Sequence, residues 1–462
     1  MDLKKYSEDF RNRTLVIDFI ILEIFQEFSR GLNLKGHGYL TVDASGALAC
    51  EIICTKSENL VLEYFSAHYP LDAKDNKQKL KFKAIDLDGK SWSAENFELT
   101  IEGVLDHRHP FKFRVYFSEI VHKQKQDYPS QKKNHLWFQF LEHCNVPKNK
   151  TNTIDDSLAG KSMSWNQTNI SLVGYEVSII YNKDYTTVYS NGVFDTESLY
   201  SALKFYIGFT SGTMPSAYLM TTRNCTDVSH HIRSINMKIH NTRVPPPIVE
   251  LLQLESGEWN NEYHYDLLKN ILYIQNKFPI FYASTVSQWN RVWQGFSAQQ
   301  SITALTISVS IEGLLIDLYI PQLEKDGVDS RFEDKKKEIV NKISQIDIDS
   351  EHLENIIKSV ERWGNIHANK ALSLLAGKNL LSPNEVQAWK DLRHSAAHPK
   401  LTEYTIERRL KEKLRLELCL NLYYKLNLNI FDYRGGYVVY DGANTASLMF
   451  PLVKILNLFE DK

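Results

Sequence analysis

At 462 residues the chain is too long for one typical domain, and two or three are expected. A hydrophobic content of 43% and a charged content of 24% are those of an ordinary soluble globular protein. A formal net charge of −2 excludes a globally basic surface for nucleic acid, so any such patch has to be local.

The first apolar run, Leu15 to Phe28, carries Asp18, Glu23 and Glu27 and is too short to span a bilayer, so it reads as a core element. Up to about residue 245, period-two segments and turn dipeptides dominate. Gly38–Val42 and Ala47–Ile53 flank Asp43-Ala-Ser-Gly46, a hairpin signal. Asp88-Gly89 and Asn191-Gly192 predict tight turns, the second between Tyr185–Tyr189 and Val193–Phe194. Phe97–Ile101, Phe111–Phe117, Trp137–Phe140 and Ile170–Ile180 read as strands. Residues 144–168 are poor in apolar side chains and predict a long loop. This pattern predicts a β-rich, sandwich-like or barrel-like domain over residues 1–244.

Pro245-Pro246-Pro247 marks a stiff connector, taken to run over residues 245–260. Helical spacing of apolar residues follows at Ile248–Leu254, Tyr263–Gln275, Ser297–Tyr319, Lys335–Ile346, Ser350–Trp363, Pro383–Ala397 and about Thr405–Leu426. These place an all-α domain over 261–430. A tail over 431–462 holds a hairpin expected about Gly435-Gly436. The fold class is therefore α+β.

The five cysteines, Cys50, Cys54, Cys144, Cys225 and Cys419, are odd in number and fit no zinc spacing. They read as free thiols of a reducing, cytoplasmic compartment, with no metal or other cofactor implied. There is no phosphate-cradling glycine loop with lysine and no serine-nucleophile elbow. Tyr206, Tyr218 and Trp165 could line a groove, although core packing suits most of them better.

The most informative stretch is Ser382–Lys400. Ser382 is a helix N-cap, Pro383 suits the first helical position, and Glu385 completes a capping box. Val386, Trp389, Leu392, Ala396 and Ala397 form an apolar stripe. Pro399 disfavours helical geometry at His398, so the helix should end there. A permanent cation, Arg393, and two imidazoles, His394 and His398, then gather at a helix end. Spacing alone is weak, because Arg30/His37, Arg223/His230, Arg233/His240 and Arg362/His367 share it. The last of these is the serious rival.

Arg393, the polar His394, the small spacer Ser395-Ala396-Ala397 and His398 resemble the Arg-x4–6-His motif of HEPN-domain ribonucleases, in particular the ApeA-type antiphage proteins. The resemblance covers about residues 260–430. It implies a helical nuclease bundle and metal-independent cleavage of RNA by 2′-OH attack, giving 2′,3′-cyclic phosphate and 5′-OH ends. His398 is then the general acid or base, Arg393 the stabiliser of transition-state charge, and His394 a phosphate-positioning group. It also implies a site completed across a homodimer, a structured RNA such as tRNA as target, and a β-rich domain that senses a phage-derived trigger. Glu312, an acid within an apolar helix, is a candidate to orient Arg393. Residues 382–416 carry eight Lys/Arg against five Asp/Glu, 8 − 5 = +3, and Lys390, Lys400, Arg408 and Arg409 are candidate RNA contacts. The other readings are a non-catalytic scaffold of the same type that binds RNA or protein, and a ligand-sensing β-domain with a helical oligomerisation module.

Overall fold

The structure, a computed structural model, describes residues 3–60, 66–102, 110–125, 133–156, 160–235, 245–248, 262–298, 300–326, 330–346, 349–361, 365–397, 405–442, 444–456 and 458–459. The chain divides into two compact units, one of residues 1–204 and 215–242, the other of 205–214 and 243–462. A β-rich region followed by a helical one gives the class α+β.

In the first unit, α1 (Lys5–Asn12) precedes β1 (Val16–Phe25), β2 (Asn33–Val42), β3 (Leu48–Glu58), β4 (Ser66–Tyr69), β5 (Lys81–Asp86), β6 (Ser91–Glu95), β7 (Leu99–Glu102), β8 (Phe111–Phe117) and β9 (Glu119–Lys125). There follow β10 (Asn134–Phe140), β11 (Lys150–Asp156), β12 (Gly160–Leu172), β13 (Tyr175–Tyr181), β14 (Thr186–Gly192), α2 (Thr196–Ser211, of which 205–211 belong to the second unit), β15 (Leu219–Arg223) and β16 (Asp227–Arg233). All but β4 and β7 join one sheet, in the order β11-β12-β13-β14-β10-β15-β16-β9-β6-β5-β1-β2-β3-β8.

Period-two burial follows from one-sided packing. In β8, Phe113, Val115 and Phe117 face inward while their neighbours are exposed. In β1 the alternation slips at a bulge between Phe19 and Leu22, which leaves Ile20 and Ile21 exposed. Phe82 on β5 and Phe117 on β8 are four strand spacings apart along the sheet, roughly 19 Å if it were flat. Their ring centroids lie 4.7 Å apart. One sheet curled over its own face, rather than two separate sheets, therefore encloses this core.

The Asp43–Gly46 hairpin is present, with Val42 paired to Leu48 and the Asp43 carboxylate accepting from Ser45 and Ala47 N–H groups. Three expectations are corrected. Residues 150–156 and 160–172 are strands, not loop. Ile170–Ile180 is two strands, because the chain turns at Val173-Gly174, where Gly174 holds φ +86° and Leu172 pairs with Tyr175. Asn191-Gly192 ends β14 instead of turning a hairpin, and Gly192 faces both Asn134 and Tyr175.

A single cut at residue 244 is also corrected, since 205–214 belong to the second unit. The reason is aromatic packing: Phe205 lies against Tyr282 and Phe431, and Phe209 against Trp289 and Tyr424. The helices of this unit are α3 (Glu262–Lys277), α4 (Pro279–Ser297), α5 (Gln300–Leu314), a π-helical turn at Leu315–Tyr319, α6 (Ile320–Asp326), α7 (Ser330–Ile343), α8 (Ser350–Glu361), α9 (Ala368–Gly377), α10 (Pro383–Ala397) and α11 (Ile406–Ile430). β17 (Gly436–Asp441) pairs with β18 (Asn444–Met449) about Gly442, which holds φ +68°. The hairpin is thus displaced from Gly435-Gly436, since Gly435 packs on Tyr433 and Tyr263. The expected helix over Ile248–Leu254 falls mostly outside the described residues.

α11 is the central helix: from Cys419 to Ile430 it is buried on every side. Several of its polar members are satisfied through side-chain amides and an ion pair, while the Tyr423 hydroxyl and Asn427 Oδ1 are buried without a hydrogen-bond partner among the described residues. Asn421 donates to the Tyr440 carbonyl, Asn429 to that of Val453, and Lys425 pairs with Glu385 at 2.8 Å. Helical residues Gln300–Lys325 are long and apolar enough to cross a membrane, with a mean hydropathy of 1.6. Half of that window is buried inside this unit, as in a core helix. Close approach of α4 and α5 is set by Gly295, where an added Cβ would stand 2.8 Å from Thr306.

Candidate functional site

The capping box that opens α10 is reciprocal: the Ser382 N–H donates to Glu385 at 2.7 Å, and the Glu385 N–H to the Ser382 hydroxyl at 3.2 Å. Glu385 is buried and also takes the Lys425 ammonium, which locks the start of α10 to α11. Further along, Asp391 meets Arg415 at 3.0 Å. Successive rungs 385–425 and 391–415 run in opposite senses, so α10 and α11 are antiparallel.

A neighbouring face of α10 is set against α5. The buried Trp389 indole donates to the Ser308 carbonyl at 3.2 Å. One turn on, Arg393 grips Glu312 with two hydrogen bonds, Nε to Oε2 at 3.1 Å and Nη2 to Oε1 at 2.8 Å. Both rungs advance four residues on each helix, so α5 and α10 run parallel. The Arg393 guanidinium also lies 5.5 Å from the centroid of the Trp389 ring. Glu312 thus stands where its helix meets the π turn at Leu315–Tyr319, an irregularity that re-aims side chains.

This geometry fixes a planar cation at a half-exposed position. Two of its five N–H donors are engaged by a carboxylate that is itself about a quarter exposed. A preset guanidinium loses less freedom when it meets an oxyanion. His394 follows it and is exposed in the last turn of α10. His398 and Lys400, with Pro399, lie outside the described residues, as does Arg362 of the rival pair. His367 is exposed and caps α9 in extended conformation without a side-chain capping bond. Arg223, His230 and Arg233 stand on strands, and Arg233 is bonded to Glu119.

The local basic excess is partly neutralised. Arg408 pairs with Glu412, Lys413 with Glu417 and Arg415 with Asp391. Lys390 is half-buried and Arg409 exposed, and neither makes an ion pair among the described residues. No cluster of potential metal ligands occurs among the described residues. Cys419 is buried nearby, and burial pushes its thiol well above the ordinary range, which leaves it inert. Tyr206 and Tyr218 are fully buried core residues. Sequence reasoning named Trp389 only as part of an apolar stripe. Its spacing of four from Arg393 is the signal that it also backs the guanidinium.

Fold and site together define an α+β protein with a curled antiparallel sheet, a helical unit, and a carboxylate-clamped arginine at a helix end. No protein-family model, curated protein or solved structure matches the chain.

Proposed function

We propose that the chain is a metal-independent endoribonuclease of the HEPN type, acting in the cytoplasm as an antiphage defence effector, with α3–α11 as its nuclease bundle. The observation that carries this reading is Arg393, clamped by Glu312 and backed by Trp389 in the last turns of α10. It stands one turn ahead of His398 in sequence. His398 removes the ribose 2′-OH proton, the 2′-oxygen bonds to phosphorus, and the P–O5′ bond breaks. The leaving 5′-oxygen takes a proton from an imidazole acting as acid, His394 or the second copy's counterpart of His398. Arg393 stabilises the charge that gathers on the phosphoryl oxygens. Lys390, Lys400, Arg408 and Arg409 follow the RNA backbone, with structured RNA such as tRNA as substrate.

Pairing of two copies is supported by the outer face of α5 and of the π turn that follows it. Ile302, Leu305, Val309 and Ile316 are about half exposed and line the same side as Glu312. A stripe of this kind bordering the clamp suits a partner of the same sequence. The β-rich unit is the sensing or regulatory part, answering a phage-derived trigger.

The test is cleavage of total RNA in EDTA by the purified chain, with end-group analysis. Products ending in 2′,3′-cyclic phosphate and 5′-OH, lost in Arg393→Ala and His398→Ala, are expected. Cleavage that survives both substitutions, or 5′-phosphate ends, sinks the reading. One observation favours a second reading, a non-catalytic scaffold that binds RNA or protein. The Arg393–Glu312 clamp is also what a simple brace between helices requires. Undiminished phage protection by both variants would select it.

A further inference from the structure

We propose that the cleft between α1 and the sheet of the first unit is a binding site for a small anion bearing a planar ring, of the mononucleotide class. The inference stands apart from the nuclease reading, since it rests on other residues in the other unit.

The cleft encloses about 680 Å³, within the roughly 300–1,000 Å³ typical of small-molecule sites. Its floor is preorganised. Gln139 of β10 is buried; its Oε1 accepts from the Ser7 hydroxyl at 2.6 Å and the Tyr218 hydroxyl at 2.9 Å, and its Nε2 donates to Thr187 at 3.1 Å. His230 of β16, also buried, bonds the Thr221 hydroxyl at 2.9 Å. These bonds hold the floor of the cleft in one arrangement, so it needs little further ordering.

The mouth is cationic and aromatic. Arg11 on α1 lies 4.2 Å from the centroid of the Tyr185 ring, and its Nε donates to the Ser7 carbonyl. That hold keeps the guanidinium fork at the entrance, the geometry that receives phosphate oxygens. Lys4 adds a second positive charge, and Glu8 is the acid on the same wall. Tyr189, over a third exposed, presents a further ring for stacking, and the buried Trp137 lines the wall behind. His135 lines the same cleft. Burial, then Arg223 and Lys4, hold its imidazole below the usual range.

The experiment measures thermal shift and calorimetric binding of the full chain with AMP, GMP, CMP and UMP, and with inorganic phosphate and adenosine as partial probes. At least one monophosphate is expected to bind, with both partial probes weaker. Arg11→Gln should weaken that binding about tenfold or more, the loss of a charge-assisted hydrogen bond. Lys4→Gln, at an exposed position, should weaken it in the same direction and serves if Arg11→Gln does not fold. Arg11→Gln is read by mononucleotide binding alone and not by RNA cleavage, so failure here and failure of the nuclease reading remain separate. Absence of binding by all four monophosphates at millimolar concentration overturns the proposal. So does binding undiminished in both cleft variants, and inorganic phosphate binding as tightly as any monophosphate overturns the ring.

Discussion

At the scale of single residues, two ion pairs on α10 look alike in sequence and differ in consequence. The Arg393–Glu312 pair is half exposed, so it contributes no more than about 1 kcal/mol to folding. Its geometry matters more than its stability. Glu312→Gln should leave the melting temperature nearly unchanged while loosening the arginine. Arg393→Lys, which cannot reproduce the fork, should lower RNA cleavage by about a hundredfold or more. Comparing melting curves with single-turnover cleavage separates the two effects. An equal loss in both would show the pair to be a brace. The buried Glu385–Lys425 pair behaves oppositely. Lys425→Met alone strands a buried carboxylate and should cost about 3–5 kcal/mol. The double change Glu385→Gln with Lys425→Met should recover most of that in denaturant titration.

Glu142 offers a pH signature in the first unit. Part of its side chain reaches the surface, but the oxygen Oε2 is buried without a hydrogen-bond partner, and burial raises the carboxyl to about 7. The folded state therefore holds a proton that the unfolded chain releases near its ordinary value of 4.5. Stability from this group is present in acid, falls as pH rises from about 4.5 to about 7, and is level above. Glu142→Gln should remove that fall and stabilise the protein at pH 8 by up to about 3 kcal/mol. Melting temperatures at pH 5 and pH 8 measure it. A wild-type profile that rises between those values as much as the variant's would contradict the assignment. Glu119 works in the other direction: despite burial, His231 and Arg233 hold it down to about 2, so its contribution is full above about 4.5 and is lost as pH falls from there to about 2.

At the scale of elements, what was legible follows from which signals are local. The capping box Ser382–Glu385, the stripe of α10 and the Asp43–Gly46 hairpin depend on neighbours a few residues away, and the chain displays them directly. β11 and β12 were missed because their outer stretches are Asn, Thr, Ser and Lys, with no apolar alternation. β11 ends the sheet, where a polar strand is the usual protection against edge pairing. α4 was missed because Thr, Ser, Trp and Phe have low helix propensity, overridden here by burial of Tyr282, Trp289 and Phe296. The same packing gives a prediction. Gly295→Ala would push a methyl to 2.8 Å from Thr306, so α4 and α5 must part. A loss of about 1–3 kcal/mol in denaturant titration is expected, and Thr306→Ala in the same chain should relieve part of it.

At the scale of the whole molecule, the sequence shows the proline boundary but not the exchange of residues 205–214 into the helical unit. That membership is decided by aromatic contacts far along the chain, which no local pattern encodes. The candidate site is more legible, since the sequence marks Glu312 as the acid to orient Arg393, and Glu312 does bond it. An acid within an apolar helix is the signal, whereas the parallel packing of α5 on α10 that brings Glu312 to Arg393, 81 positions away, and the backing of the guanidinium by Trp389 are seen only in the structure. The exposed stripe of α5 carries this to assembly. If two copies meet through Ile302, Leu305, Val309 and Ile316, a charge there faces its own copy across the interface, and like charges at close range are unfavourable. Val309→Asp should therefore give a monomer by light scattering, with an unchanged circular dichroism spectrum and RNA cleavage lost. Mixing Arg393→Ala with His398→Ala subunits should restore a fraction of cleavage, because mixed pairs carry one intact Arg393 and one intact His398. Full activity in a monomeric Val309→Asp protein would place the whole site in one chain.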